Sequence, residues 1–341
     1  MEYNYYGNGA SPLTDYENYV FTLQAQEQRK KEKKRLFSVG LTAGGCIIAY
    51  ILLQSIITIP YMYAPMSYLY TFSTEFMIVS NIIFSIVGLL FPFAIGGIIL
   101  RSKGLLPAGY CFEKSESTSL MLLSVPFGFL ICLVGNYLTS VFVSGVESIG
   151  VELSSPDFST PEGIGGRLLY VVWVAVVPAL VEEFAMRSVV MQPLRRYGDW
   201  FAIIASSLVF AILHGNLVQA PFAFVAGVGI GYAVCITNSV WTGILIHFCN
   251  NLYSVLIDFL LADVTDESKL NLIWNISQTT LYAVCIIGTL VFLIVKRRKK
   301  LSKPTVDLSA TEKWKSFVLN PTMIVAIAIM FYITAKYVKL I

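Results

Sequence analysis

Residues 168–190 read LLYVVWVAVVPALVEEFAMRSVV, and this stretch decides the class of protein to which the chain belongs. Its length matches the roughly 20 apolar residues that cross the hydrocarbon core of a bilayer as a helix. Its only charged side chains are Glu182, Glu183 and Arg187. Within lipid, only helices and closed barrels satisfy all their backbone groups, so the stretch predicts a membrane-spanning helix.

The rest of the chain has the same character. Of its 341 residues, 56% are hydrophobic and 13% are charged, whereas a soluble chain carries about 25% charge. This composition excludes an ordinary cytosolic enzyme, a disordered chain and a disulfide scaffold. The net charge of +3 is too small to indicate a nucleic-acid partner. We therefore predict an all-α, polytopic transmembrane helix bundle in the lipid bilayer of the cell membrane.

Nine apolar stretches are candidate spans, which predicts eight or nine crossings of the membrane. The fifth stretch is short, and the last could lie in the membrane interface instead. The nine stretches are residues 36–60, 77–100, 119–144, 168–194, 200–216, 219–237, 240–262, 273–295 and 320–338.

The basic residues set the orientation, because Lys and Arg are retained on the cytoplasmic side. With the N-terminus in the cytoplasm, nineteen of the 24 basic residues fall in cytoplasmic segments. The external segments are mainly acidic, and residues 146–166 form a Gly/Ser/Pro-rich stretch that reads as a solvated linker. We predict a multi-pass protein with a cytoplasmic N-terminus.

A few polar side chains lie inside these apolar stretches. An ionisable group in a membrane costs several kcal/mol, so each one is a candidate functional residue. Both histidines of the chain are among them. The candidates are Glu182, Glu183, Arg187, His214, His247 and Asn251.

The spacing of these candidates indicates how they pair. Glu183 and Arg187 are four residues apart with the acid first, which is the favourable order for an ion pair on a helix. That pair would leave Glu182 chemically free. His247 and Asn251 are also four residues apart and therefore share one helix face.

Depth in the membrane can be estimated from the helical rise. Glu182 and His214 both lie about 20 Å from the turn at 196–200 that joins their helices, and His247 and Asn251 lie about 12–18 Å from the turn before theirs. Helices joined by a short loop are antiparallel neighbours. We expect these side chains to meet at one pocket in the inner half of the membrane.

Such a pocket has the groups for peptide-bond hydrolysis by an activated water. A carboxylate beside an imidazole can hold a water and accept its proton. A second histidine and an amide can stabilise the oxyanion that develops. Cys249 lies on a different face from His247 and is interpreted as a core thiol.

The same residues carry a resemblance to a known family. Glu182-Glu183 with Arg187 match E-E-x-x-x-R, residues 210–214 match F-x-x-x-H, and residues 247–251 match H-x-x-x-N. In this order on successive helices, the motifs resemble those of the CAAX protease and bacteriocin-processing family. Its members are intramembrane endopeptidases related to type II CAAX prenyl proteases.

The resemblance implies a role for each residue. Glu182 corresponds to the base that activates water with His214, and Glu183 to the partner of Arg187. His247 and Asn251 correspond to the oxyanion-stabilising pair. The family is often described as metalloproteases, so Zn²⁺ is a candidate cofactor, held if present by Glu182, His214 and His247. Metal-free activation of water is the preferred alternative.

The apolar stretches and charges divide the chain into segments, and the resemblance implies which segment is the catalytic core and what the protein cleaves. The segments are a cytoplasmic polar tail (1–35), N-terminal transmembrane helices with an external loop (36–160), a catalytic core (161–262) and C-terminal transmembrane helices (263–341). The expected substrate is a membrane-associated peptide or protein, either a prenylated CAAX-type tail or a bacteriocin or peptide leader.

Two other functions remain open on sequence alone. The protein could be a non-catalytic immunity or regulatory protein of the same fold, in which His247 and Asn251 form a hydrogen-bonded clasp between helices. It could also be a secondary transporter that uses the two glutamates as a proton relay. The sequence shows no inverted repeat, which disfavours transport.

Overall fold

The computed structural model of the protein describes residues 15–106, 115, 117–156, 160–262 and 264–340. Nearly all of this part is helical, which confirms the prediction of an all-α transmembrane bundle. The helices are α1 (Asp15–Thr58), α2 (Met66–Phe72), α3 (Thr74–Ser102), α4 (Thr118–Glu147), α5 (Gly163–Tyr197), α6 (Asp199–Leu213), α7 (Ala220–Thr237), α8 (Val240–Leu261), α9 (Glu267–Val295), α10 (Ala310–Val318) and α11 (Pro321–Ala335).

Seven of the described helices are long and apolar enough to cross a membrane, namely α1, α3, α4, α5, α7, α8 and α9. Helices α10 and α11 would together make an eighth span with a bend of 75° between them. The prediction of a full span at 200–216 is wrong. Helix α6 has 15 residues, or about 22 Å, which is shorter than the roughly 30 Å of the hydrocarbon core.

Helix α7 lies at the centre of the bundle. Its apolar window is 61% buried, whereas that of α9 is 11% buried and faces outward. Small residues allow its neighbours to approach closely. A Cβ atom at Gly227 would lie 3.0 Å from the Ser207 hydroxyl on α6, and one at Gly229 would lie 2.6 Å from Ile131 on α4. The glycines of α7 thus serve helix packing on two faces.

Helix α1 meets the turn between α10 and α11 through two glycines. A Cβ atom at Gly40 would overlap the carbonyl oxygen of Phe317, and one at Gly44 would overlap the backbone nitrogen of Met323. The neighbouring Gly45 points into open space. The spacing of Gly40 and Gly44 is that of the small-residue contacts by which membrane helices associate.

The N-terminal part of α1 is helical well before the first predicted span. Its basic run pairs with other elements, since Arg29 and Lys33 contact Glu312 of α10 at 2.8 and 2.6 Å. The buried Glu32 accepts a hydrogen bond from Arg196 at 2.9 Å. Residues 15–35 of the predicted polar tail are therefore an ordered extension of α1. The predicted tail residues 1–14 lie outside the described residues.

One strand of a two-stranded sheet lies within the segment predicted as a solvated linker. Strand β1 (Val151–Leu153) pairs antiparallel with β2 (Val338–Leu340). The register sets Glu152 opposite Lys339, an opposite-charge pair that stabilises neighbouring strands. The linker prediction is wrong for these residues, because their pairing partner lies almost 200 residues away and leaves no local signal.

We predict that Gly40→Ala destabilises the protein and that Gly45→Ala does not. The added methyl group at residue 40 meets backbone atoms of Phe317, which cannot rotate away, and such overpacking costs about 1–3 kcal/mol. Thermal unfolding of the two purified variants in detergent micelles measures the difference. Equal melting temperatures would contradict the close contact of α1 with the α10–α11 turn.

Candidate active site

Helix α5 is irregular where it enters the site. Two π-helical turns, Val172–Val176 and Phe184–Met191, lie on either side of the acidic pair. Pro178 has no backbone N–H, so it cannot donate to the Val174 carbonyl one turn earlier. The Asn251 amide of α8 donates to that carbonyl at 2.9 Å. A side chain of α8 thus supplies the hydrogen bond that the α5 backbone cannot make itself, as neighbouring helices do at prolines within membranes.

The Glu183 carboxylate is the centre of the polar network and has no exposed surface. It accepts a hydrogen bond from Arg187 Nε at 2.9 Å, which confirms the predicted ion pair. Its other oxygen lies 3.2 Å from His247 Nδ1, a contact that the sequence did not indicate. Gly243 makes room for this arrangement, since a Cβ atom there would lie 2.6 Å from Glu183 Oε2.

Arg187 extends the network from α5 to α6. Its Nη1 donates to the Ser206 hydroxyl at 3.4 Å, and its guanidinium carbon lies 5.8 Å from the ring centre of Phe210. Its Nη2 is buried and has no hydrogen-bond partner among the described residues. Arg187 is fully buried, so its charge is compensated within the protein by Glu183.

His247 connects the two glutamates. A carboxylate bound to Arg187 only accepts hydrogen bonds, so His247 Nδ1 carries the hydrogen that points at Glu183. His247 Nε2 lies 3.8 Å from Glu182 Oε2. The Glu182 side chain is 25% exposed, in contrast to the closed surroundings of Glu183. The two adjacent acids therefore have different environments.

His214 lies just after the end of α6 with one nitrogen already engaged. Its Nδ1 is 2.8 Å from the Phe210 carbonyl oxygen. A carbonyl only accepts, so Nδ1 holds the hydrogen and Nε2 of the neutral ring has a lone pair available. Asn216 fixes the loop, since it donates to the His214 carbonyl at 2.9 Å and accepts from the Gln219 N–H at 2.9 Å.

Four of the six predicted site residues line one cavity of about 550 Å³, namely Glu182, His214, His247 and Asn251. The other two, Glu183 and Arg187, lie behind it and are fully buried. A second cavity of about 200 Å³ is also lined by Glu182 and His214. The structure thus brings the acid, both imidazoles and the amide to a shared space.

Several lining residues were missed by sequence reasoning. Gln219 lies close to the motifs, and a polar residue in an apolar segment is a signal that could have found it. Asn250 lies in the same apolar stretch as His247 and is interpreted from the sequence as structural or interfacial, but it lines the cavity. Tyr50 comes from α1 and Trp173 from α5, and no local pattern indicates that they reach the site. The lining residues outside the predicted set that carry a side-chain nitrogen or oxygen are Tyr50, Ser85, Tyr170, Trp173, Gln219 and Asn250.

The cavity also contains a hydroxyl and a thiol. The Ser85 hydroxyl donates to the Asn81 carbonyl at 3.0 Å, and Cys132 has no hydrogen bond to a histidine among the described residues. A nucleophilic Ser or Cys needs a neighbouring base within hydrogen-bond reach. Cys249 packs against the apolar cluster around Phe129 and does not line the cavity. The geometry favours water as the nucleophile.

A zinc ion would need Glu182, His214 and His247 to converge on one point. These donor types are those of catalytic zinc sites, which use three protein ligands. Within the described ranges, however, no three His, Cys, Asp or Glu side chains come together closely enough to hold a metal ion. The predicted ligand set therefore does not fit a metal in this arrangement, and we assign no step to one.

Comparison with known proteins gives one match. Residues 164–253 match the family model described as type II CAAX prenyl endopeptidase Rce1-like. The segment covers α5 to α8 and contains all six predicted site residues. No curated protein and no solved structure matches the chain. The resemblance read from the motifs is confirmed for this segment. With the seven apolar helices, the match supports a multi-pass membrane protease of the CAAX type in general terms.

We predict that Arg187→Met strongly destabilises the protein. The substitution leaves the buried Glu183 carboxylate without its cation, and such uncompensated charges cost about 3–5 kcal/mol. The double variant Glu183→Gln/Arg187→Met should recover part of the loss, because both members are then neutral. Chemical unfolding of the two variants in micelles measures the free energy of unfolding of each. A double variant that is no more stable than Arg187→Met would contradict the ion pair as the source of the effect.

Proposed function

We propose that the protein is an intramembrane endopeptidase that hydrolyses a peptide bond of a membrane-associated substrate by means of an activated water. One observation carries the proposal: Glu182, His214, His247 and Asn251 come from three different helices and line one cavity. The match of residues 164–253 to a CAAX prenyl endopeptidase family supports the same reaction class. We also propose that the N-terminus lies in the cytoplasm, because Lys and Arg are retained on that side of a membrane.

Glu182 is the proposed base. It is the exposed member of the acidic pair, and it lines both cavities together with His214. A water between them donates one hydrogen to the Glu182 carboxylate and the other to the lone pair on His214 Nε2. As Glu182 takes the proton, the water oxygen bonds to the carbon of the scissile carbonyl, whose π electrons move to its oxygen.

His247 and Asn251 are the proposed donors to the resulting oxyanion. His247 Nδ1 donates to Glu183, so Nε2 donates into the cavity when the ring is doubly protonated. The Asn251 amide donates one hydrogen to the Val174 carbonyl and can donate its second hydrogen to the oxyanion. The tetrahedral intermediate then collapses: the C–N bond breaks, and the departing nitrogen takes the proton from Glu182.

Glu183 and Arg187 act as positioning residues. Glu183 orients the His247 ring, and Arg187 holds Glu183 from the opposite side. With His247 doubly protonated, the charges of Glu182, Glu183, Arg187 and His247 sum to zero. A balanced group of charges is the form that a low-dielectric site tolerates. The network therefore holds the donor geometry before substrate arrives.

The substrate class follows from the position of the cavity. Most of its lining comes from helices that are long and apolar enough to span a membrane, so we expect the substrate to reach it from the membrane. The name of the matched family makes a prenylated CAAX-type tail the first substrate to test. A bacteriocin or peptide leader is the second.

We predict that Glu182→Gln lowers the rate of cleavage by about 10²–10⁴-fold, the usual contribution of a general base. The amide keeps the shape of the side chain but cannot accept the proton from water. Cleavage of a fluorogenic farnesylated CAAX peptide by purified protein in nanodiscs measures the rate. Asp258→Asn on α8 is the matched control, since Asp258 does not line the catalytic cavity, and it should retain activity.

The same variants distinguish catalysis from a binding role. If the Glu182→Gln protein cleaves the peptide at the rate of the unaltered protein, the proposed base is wrong. If neither protein cleaves any prenylated or leader peptide while the Glu182→Gln protein keeps its effect in cells, the non-catalytic immunity or regulatory function is favoured.

We also predict that activity survives removal of metal ions. The proposed base and oxyanion donors belong to the protein, so dialysis against 1,10-phenanthroline should leave the cleavage rate within about twofold of the starting value. Elemental analysis of the dialysed protein verifies the removal. Loss of activity that returns on addition of Zn²⁺ would overturn metal-free activation of water and favour Glu182, His214 and His247 as ligands.

A further inference from the structure

A basic cavity lies at the opposite end of α6 from His214. It has a volume of about 600 Å³ and is formed by the start of α6, the end of α9 and the loop that follows α9. Its described lining holds six cationic side chains and no carboxylate. The cations are Lys296, Arg297, Lys299, Lys300, Lys303 and Lys313.

The loop that carries most of these cations is fixed to the rest of the fold. The Asp199 carboxylate accepts the Ser302 N–H at 2.8 Å, and the Asp199 N–H donates to the Ser302 carbonyl at 3.2 Å. Thr305 donates its N–H to the Arg196 carbonyl at 3.0 Å. The basic cavity is therefore built into the turn between α5 and α6 and does not depend on a freely moving tail.

Four of the six cations, Lys296, Lys300, Lys303 and Lys313, have no carboxylate partner in the described part of the chain. The Lys296 ammonium donates to the Tyr232 hydroxyl, and the Lys313 ammonium donates to the Tyr197 carbonyl at 2.7 Å. Both partners are neutral. The side chains of Lys300 and Lys303 have no hydrogen bond or ion pair with any residue that the structure describes. This concentration of positive charge attracts an anion from outside the chain.

The surroundings indicate which anion. Trp200 lines the cavity and is 57% exposed, and its ring lies 6.0 Å from that of Tyr232. Tryptophan and tyrosine are enriched at the level of lipid headgroups. Basic pockets between helix ends at this level attract anionic headgroups. A free phosphate ion shares the charge but has no acyl chains to lie along the exposed aromatic surface.

We propose that this cavity binds the phosphate of an anionic phospholipid headgroup. Lys300 and Lys303 are the principal contacts, and Trp200 and Tyr232 mark the depth at which the glycerol and upper acyl chains lie. The site shares no lining residue with the catalytic cavity, so the proposal is independent of the proposed peptidase activity.

The test compares two double variants with equal loss of charge. Lys300→Gln/Lys303→Gln removes the principal contacts, and Lys30→Gln/Lys31→Gln removes two exposed cations of the same region from α1. The full-length protein is extracted from nanodiscs of equimolar phosphatidylglycerol and phosphatidylcholine, and the lipids that stay bound are counted by native mass spectrometry. Two lysines near a lipid surface predict a loss of phosphatidylglycerol retention of about tenfold to thirtyfold.

The proposal is supported if Lys300→Gln/Lys303→Gln loses phosphatidylglycerol while Lys30→Gln/Lys31→Gln retains it. The single variant Lys300→Gln, with an intermediate loss, would confirm the effect if the double variant is unstable. Equal loss in both double variants, or no loss in either, would overturn a specific site. A second arm adds inorganic phosphate: if phosphate alone raises the melting temperature as much as dioctanoyl-phosphatidylglycerol does, a lipid occupant is wrong.

Discussion

The buried carboxylate of Glu183 is the constraint on which the site depends. An ionised acid without exposed surface is stable only when charge and hydrogen bonds surround it. Arg187 and His247 supply these bonds from two sides, and they lie on different helices. The need to satisfy one side chain therefore fixes the approach of α8 to α5, and Gly243 is the residue that lets the backbone of α8 come close enough.

A second constraint acts on the backbone of the same helices. Pro178 leaves the Val174 carbonyl without its usual donor, and Asn251 compensates. The bond is the helix clasp that sequence reasoning kept as an alternative to a role in catalysis. The two roles are compatible, because an amide has two hydrogens and the clasp uses one. Because its bond to the Val174 carbonyl holds the Asn251 amide in place, the second hydrogen of that amide is available to the cavity.

Sequence reasoning recovered the parts of the site that follow from short-range periodicity. The ion pair of Glu183 with Arg187 is a property of one helix, so spacing alone predicts it. The contact of Glu183 with His247 joins residues 64 positions apart, and the participation of Tyr50 depends on how α1 packs. Neither leaves a periodic signal. The pairing of β1 with β2 was missed for the same reason. The short stretch between Gly198 and Gly215 is apolar enough to be a candidate span, but hydropathy does not show that its helix already ends at Leu213.

The two adjacent glutamates differ in burial because of helix geometry. Successive residues on a helix point about 100° apart, so Glu182 and Glu183 cannot share surroundings. Glu183 points at α8 and is enclosed, whereas Glu182 points at the cavity and keeps a quarter of its side-chain surface exposed. The enclosed Glu183 carboxylate is occupied by Arg187 Nε and His247 Nδ1 and has no exposed surface, whereas the Glu182 carboxylate is partly exposed. His247 Nδ1 lies 3.2 Å from Glu183 and its Nε2 lies 3.8 Å from Glu182, so the residue that fixes the buried network also lies beside the exposed acid.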